Sequence, residues 1–194
     1  QVAAVLAACD AAAAPVTFRA GGTSLSGQAV TDAVLVDTRR HFREVEVLNE
    51  GLRVRVQPGA TVRSVNAHLA PYHRKLGPDP ASEGACTIGG VVANNSSGMQ
   101  CGTELNTYAT LESMVLVLPT GTTIDSAAPD AEAELAAREP ELVAGLLRLR
   151  QRVLDNAESM ATIQRLFALK NTMGYGINAL VDYDSPLDIL VHLM

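Results

Sequence analysis

Hydrophobic and polar positions along the 194-residue chain alternate between a helical and a strand period, and each change of period marks an element. Val2, Val5, Leu6 and Cys9 recur at helical spacing among alanines, so the chain opens inside a helix, with no cap before it, that Pro15 ends. Such a start is expected where a boundary cuts through an element. Val16-Thr17-Phe18-Arg19 reads as a short strand and Val34-Leu35-Val36-Asp37 as another. Glu44 to Leu48 and Leu52 to Val56 alternate around Asn49-Glu50-Gly51, which predicts a hairpin. After a turn at Pro58-Gly59, Val62, Val65, Leu69 and Tyr72 give one helical face from about Thr61 to Tyr72. Leu111 to Leu118 reads as an apolar strand, and Pro119-Thr120-Gly121 turns it back as Thr122 to Asp125. From Asp130 to Leu166 the chain is rich in Ala, Glu, Leu and Arg. Leu142, Val143, Leu146, Leu147, Leu149 and Val153 fall at helical spacing there, and Pro140 splits the region into at least two helices. Ile177 to Val181 follows a small loop, Lys170 to Gly176, and the chain stops in an apolar run, Ile189 to Met194, with no terminator. The pattern predicts an α+β chain with a helical insertion at about 130–166, laid on a sheet-bearing body.

Two stretches obey neither period. Gly77 to Gly102, GPDPASEGACTIGGVVANNSSGMQCG, is almost all small residues without Lys, Arg or aromatic side chains. Its middle, Thr87 to Ala93, is apolar enough to be buried, which a solvated loop does not need. Two adjacent glycines in a buried run bring backbone very close to something else. That is either a packed turn between core strands or a row of backbone N–H groups lining a cofactor. Ala20 to Gln28, AGGTSLSGQ, is a second such run. Successive unhindered N–H groups make concave anion sites, and a charge-assisted hydrogen bond contributes on the order of 1.5–3 kcal/mol. A handful would hold a diphosphate without a Lys. Gly21-Gly22 lacks the G-x-G-x-x-G spacing and a strand follows it, which argues against a Rossmann dinucleotide site; the absence of G-K-[ST] excludes a Walker loop. Two loops, Ala20 to Gln28 and Pro80 to Gly98, separated by a hairpin and a helix, fit an elongated diphosphate ligand gripped from both sides.

Composition narrows the partners. The formal net charge is −6, aromatics make up 4% and Trp is absent, so a nucleic-acid partner is not expected. Cys9, Cys86 and Cys101 show no metal or cluster spacing, and their odd number fits a reducing, cytoplasmic compartment. No apolar run reaches the roughly 20 residues of a membrane span, although peripheral attachment stays open. His41, His68, His73 and His192 are dispersed, and His68 and His73 flank a helix end where a solvent-exposed role is expected. Arg39, Arg40 and Arg43 with His41 read as a solvated edge, and Asp182 and Asp184 as turn residues. Lys170 is the charged residue beside the third glycine-containing loop.

RAGGTSLSGQAV at Arg19–Val30, TIGGVVANNSSG at Thr87–Gly98 and LPTG at Leu118–Gly121 together resemble the FAD-binding domain of the vanillyl-alcohol-oxidase type, the PCMH fold. The tail KNTMGYGINALVDYDSPLDIL at Lys170–Leu190 is similar to the branch holding D-lactate and D-2-hydroxy-acid dehydrogenases, related to glycolate oxidase subunits and often fused to an iron–sulfur module. The resemblance implies a two-lobed domain with mixed sheets flanked by helices, with lobes at 1–70 and 71–194. It implies that Ala20, Gly21, Gly22, Thr23, Ser24, Leu25, Ser26, Gly27 and Gln28 wrap the FAD pyrophosphate. Thr87, Ile88, Gly89, Gly90, Ala93, Asn94 and Gly98 would lie along the ribityl chain and flavin ring, with Pro80 and Gly84 supporting that wall. Thr23 stands where some relatives carry a flavin-linked His, so noncovalent FAD is expected, and Cys86 reads as a buried small hydrophobe.

The implied reaction oxidises a small 2-hydroxy acid, its α-hydrogen passing to the flavin as hydride while a base takes the hydroxyl proton. The family has a strand before this first helix. It also has a further FAD segment and a C-terminal substrate domain after the position of Met194. The catalytic residues are therefore expected outside this stretch, which by itself would be inactive and bind FAD weakly or not at all. Iron–sulfur clusters would belong only to other domains. The competing reading is a non-catalytic module that uses the same loops for another phosphorylated ligand, or a docking scaffold.

Overall fold

The computed structural model describes residues 1–172 and 175–193. Met173 and Gly174, in the Lys170–Gly176 loop, and Met194, at the end of the last apolar run, lie outside the described residues. Two compact units form: residues 13–110, and residues 1–12 together with 111–194. The lobe boundary expected near residue 70 falls inside the first of these.

Helix α1 (Val2–Ala11) opens the chain and belongs to the second unit. In the 13–110 unit, β1 (Val16–Arg19) and β2 (Val34–Asp37) pair in parallel, from Val16 opposite Val34 to Arg19 opposite Asp37. The small-residue run Ala20 to Gln28 is thus the first part of a crossover between parallel strands. Strands β3 (Val45–Leu48) and β4 (Arg53–Val56) form the expected hairpin, Val45 opposite Val56. Its turn carries positive φ at Asn49, Glu50 and Gly51. Helix α2 (Val62–Leu69) starts where Thr61 Oγ1 accepts the Ser64 amide at 3.1 Å. Its buried Val65 and Leu69 close over Val45, Val47, Val54 and Val56 of the hairpin. Burying such side chains contributes roughly 1.5–3 kcal/mol each, so hairpin and helix stabilise one another.

The run Thr87 to Ala93 is neither a turn between strands nor extended backbone. Ile88–Ala93 forms a one-and-a-half-turn helix, α3, despite two glycines and two valines of poor helix propensity. Tertiary contacts supply what propensity lacks. The Ile88 amide donates to Ala60 O and the Gly89 amide to Pro58 O, both at 2.9 Å. Two orphan donors of the first turn are thereby satisfied from outside the helix. Val91 and Cys86 bury against Val62 on its inner side. A last short helix, α4 (Thr107–Thr110), ends the unit.

In the other unit, β5 (Val115–Val117) and β6 (Thr123–Asp125) form a second antiparallel pair. The strand is shorter than the expected Leu111 to Leu118 because its partner runs out: Ser126 still donates its amide to Met114 O at 3.0 Å but takes the Met114 amide on its side chain, and the chain then turns toward α5 (Ala131–Arg138). The predicted helical region becomes α5, α6 (Pro140–Leu154) and α7 (Ala157–Phe167), with Pro140 in the first turn of α6. Two further helices, α8 (Ala179–Asp182) and α9 (Pro186–Leu193), complete the described elements. Leu116 and Ile124 of the sheet, with Leu118 just beyond β5, bury against Ala131, Leu135, Leu187 and Val191. His192 departs from the pattern of exposed histidines. It is 7% exposed, stacks on Tyr183 with ring centroids 4.3 Å apart, and its Nδ1 and Nε2 face the Asp188 and Leu111 carbonyls. Asp184 pairs with Arg150, and Asp182 ends α8, where it accepts from Asn178 Nδ2 at 2.9 Å.

Candidate functional site

The site predicted from the two small-residue runs lies wholly within the 13–110 unit, and the fold brings the runs together. The contact is backbone against backbone. A Cβ placed on Gly21 would stand 2.7 Å from Ala85 O, 2.9 Å from Cys86 Cα and 3.1 Å from Thr87 N. Only glycine permits that approach. From the other side, Gly90 of α3 faces Ala20, whose Cβ would be 3.6 Å from a Cβ on Gly90. The sequence places Gly21 and Ala85 64 residues apart (85 − 21), and the fold makes their stretches adjoining walls.

Donors crowd this junction. Among the described residues, the amides of Gly21, Gly22, Thr23, Ser24 and Leu25 have no acceptor. Ser26 donates its amide to Ser24 Oγ at 3.4 Å, and Ser24 Oγ in turn donates to Gln28 Oε1 at 2.7 Å. Gly22 adopts φ +66°, the left-handed region in which successive N–H groups turn to one side. Thr23 to Gln28 are exposed, while Gly21 and Gly22 are half-buried against the second loop. Across the junction, Thr87 is 2% exposed, and neither its amide nor its Oγ1 finds a partner among the described residues. A buried hydroxyl without a partner costs about 1–3 kcal/mol, so its retention points to a group that completes it.

The other predicted residues take distinct places. The amides of Ile88 and Gly89 are already used by Ala60 and Pro58, and a Cβ on Gly89 would meet Pro58 Cβ at 2.8 Å. Gly89 therefore serves the packing of α3, whereas the Gly90 amide stays free among the described residues. Ala93 and Asn94 are exposed at the end of α3, with Asn94 Nδ2 donating to Ser96 Oγ at 3.2 Å. Pro80 begins a tight turn, its carbonyl accepting from the Glu83 amide at 3.0 Å. Gly84 lies under the Arg63 guanidinium and Gly98 against Asp79. Cys86 is buried at 5% exposure, as expected of a small hydrophobe. Lys170 is exposed.

Electrostatics near the site are dominated by Asp37 and Arg39 at the end of β2. The hydrogen bond from the Arg39 side chain, then that from the Arg39 amide, hold the Asp37 carboxyl down at about 2. Sequence reasoning missed Arg19, whose guanidinium lies against Gly22. Its signal was its place immediately before the first small-residue run.

The arrangement is a set of free backbone donors in a largely exposed loop, packed against a segment that carries one buried unpartnered hydroxyl, with the Arg19 guanidinium alongside. It can accept an anionic, extended ligand. Among the described residues it contains no cluster of metal-ligating side chains, and no helix there is long and apolar enough to cross a membrane.

Comparison with known proteins gives a consistent answer. The sequence pattern of the FAD binding domain family matches residues 1–127. Glycolate oxidase subunit GlcD of Escherichia coli is 42% identical over 104 residues, 52% of this chain and 21% of that protein. D-2-hydroxyglutarate dehydrogenase of Pseudomonas putida is 36% identical over 83 residues, 42% of this chain and 8% of that protein. The mitochondrial D-lactate dehydrogenase [cytochrome] 1 of Saccharomyces cerevisiae is 30% identical over 133 residues, 64% of this chain and 22% of that protein. The matched parts thus span about a fifth or less of these relatives. Among solved structures, 6-hydroxy-D-nicotine oxidase of Arthrobacter nicotinovorans superposes with TM-score 0.58 at 19% identity, covering 73% of this chain and 31% of that one. An alkyldihydroxyacetonephosphate synthase gives 0.55 at 24% identity, over 64% of this chain and 24% of the other. The two structural likenesses bear on the fold alone.

Proposed function

Because this chain belongs to the FAD-binding domain family, we propose that it holds FAD noncovalently in an oxidoreductase acting on a small 2-hydroxy acid of the D-lactate type. The observation that carries the reading is the backbone contact of Gly21 with Ala85, Cys86 and Thr87, which joins the loop of free amides, Gly21 to Leu25, to the segment that carries the unpartnered Thr87 hydroxyl. The donor set suits a diphosphate: each ionised oxygen accepts charge-assisted hydrogen bonds from the free amides of the loop.

When bound, FAD supplies a two-electron acceptor for the α-hydrogen of the hydroxy acid. This chain's residues bind and orient. The Gly21–Gly27 loop holds the phosphates, Thr87 closes the junction between loops, and Gly90 leaves room for the flexible part of the cofactor. Thr23 offers no nucleophile of the kind that attaches a flavin covalently. The groups that bind the substrate carboxylate and take its hydroxyl proton belong, in this proposal, to other parts of the whole protein, as would any iron–sulfur module. The substrate class is supported by the relatives, whose names include glycolate, D-2-hydroxyglutarate and D-lactate enzymes.

The whole protein should be yellow as purified and release FAD on denaturation. With an artificial electron acceptor it should oxidise at least one of D-lactate, D-2-hydroxyglutarate and glycolate. A colourless protein that ignores added FAD would favour a module for another phosphorylated ligand.

A further inference from the structure

We propose that Arg19 supplies the positive charge that balances the diphosphate at the Gly21–Gly27 loop, as a binding residue lying outside the run of small residues. The inference rests on the FAD reading above. The stretch Ala20 to Gln28 contains no Lys or Arg, so its amides offer only partial charges to a ligand whose phosphates are both ionised.

Arg19 is the last residue of β1, and its carbonyl is pinned by Thr38, whose amide donates at 3.0 Å and whose hydroxyl donates at 3.3 Å. Its side chain lies along the loop. A Cβ on Gly22 would stand 2.7 Å from Arg19 Nε, 2.9 Å from Nη2 and 3.0 Å from Cζ. Nothing therefore separates the guanidinium from the backbone whose amides face the ligand. The Nε is buried and has no hydrogen-bond partner among the described residues. A buried charged donor left without a partner costs stability, which marks it as held for something beyond the fold.

The carboxylate facing Arg19 across the parallel pair is Asp37, and it is taken by another residue. Arg39 binds it through Nε at 3.0 Å and Nη2 at 2.5 Å. Among the described residues Arg19 makes no ion pair. Asp37 still feels the Arg19 charge, but its hydrogen bonds go to Arg39, so no carboxylate is bonded to the Arg19 guanidinium beside the loop.

The test uses the whole protein stripped of flavin and titrated with FAD by fluorescence quenching, in wild-type, Arg19→Gln and Arg19→Lys forms. Each flavin-free form is also melted. The expected result is that Arg19→Gln weakens FAD binding by about tenfold or more, with its flavin-free melting point within about 2 °C of wild type. Arg19→Lys recovers most of the loss, and added salt weakens wild type more than Arg19→Gln. Equal FAD affinity in Arg19→Gln and wild type overturns the role. So does an Arg19→Lys protein as weak as Arg19→Gln with both melting points lowered, which assigns Arg19 to holding the loop alone. Failure of wild-type protein to bind FAD overturns the underlying cofactor reading instead.

Discussion

Gly21→Ala is the sharpest steric probe of the junction between the two loops. The added methyl would stand 2.7 Å from Ala85 O, 2.9 Å from Cys86 Cα and 3.1 Å from Thr87 N, all of them backbone atoms. No side chain can swing away to make room. To reach an ordinary contact of roughly 3.4 Å, the loops must part by about 0.7 Å, and overpacking of this kind costs about 1–3 kcal/mol. For a cooperative unit of about 100 residues, each kcal/mol lowers the melting point by roughly 4–8 °C. The same parting moves the Gly21–Leu25 amides relative to Thr87, so FAD affinity falls as well. Gly27→Ala is the steric comparison for the melting curves, because no atom of the chain lies within 4 Å of its Cβ position and its φ of +79° leaves local strain as the cost, while its place in the phosphate loop lowers FAD affinity too. Thermal melting and FAD titration of the two variants check the reasoning. A Gly21→Ala protein that melts like wild type and binds FAD equally well would refute the close approach.

Two other perturbations separate fold from function. Gly90→Ala places its methyl 3.6 Å from Ala20 Cβ, an ordinary contact, and replaces a helical glycine, which gains about 0.5–1 kcal/mol. The flavin-free protein should therefore melt higher while FAD binds more weakly; a higher melting point with undiminished FAD binding would remove Gly90 from the cofactor wall. For Asp37→Asn the sign follows from a folded carboxyl held at about 2, below its unfolded value of roughly 3.9. Its stabilising effect is present above the unfolded value and fades as pH falls through the folded one. Melting curves of wild type and Asp37→Asn should differ slightly at pH 7 and converge as pH falls from about 5 to 2, whereas a difference that persists or widens at acid pH would contradict the Arg39 contact as its source.

Much of the 13–110 unit was legible because local pattern and tertiary outcome agree there. The alternation around Asn49-Glu50-Gly51 gave the hairpin, and Val62, Val65 and Leu69 gave the face of α2 that buries on it. Helix α3 was not legible. Ile-Gly-Gly-Val-Val-Ala favours no helix by propensity, and its first-turn amides are satisfied by Pro58 and Ala60, residues that no local window connects to it. The strand after Leu111 was read too long because apolar character outlasts the ladder; Leu111 packs on the core outside it, and Met114 meets only Ser126, which takes its amide on a side chain. His192 was read as one of a dispersed set, although its neighbours Leu190, Val191 and Leu193 form an apolar run that signals burial.

For the site, the sequence located the two small-residue walls but not the division of labour within them. Gly21 meets the second wall and Gly89 packs on Pro58, while Gly90 has no comparable close contact within the chain. These distinctions depend on which way each missing Cβ would point, which spacing alone does not encode. Arg19 escaped notice for a related reason: its importance lies in contact with Gly22 and in the capture of Asp37 by Arg39.

The central claim is that the Ala20–Gln28 loop and the Thr87 junction hold the phosphates of FAD. A crystal structure of the whole protein with FAD tests it most directly. The account predicts phosphate oxygens within roughly 2.7–3.2 Å of amides between Gly21 and Leu25, with the Thr87 hydroxyl newly partnered. Phosphates bound away from this loop, with those amides still facing solvent, would contradict it.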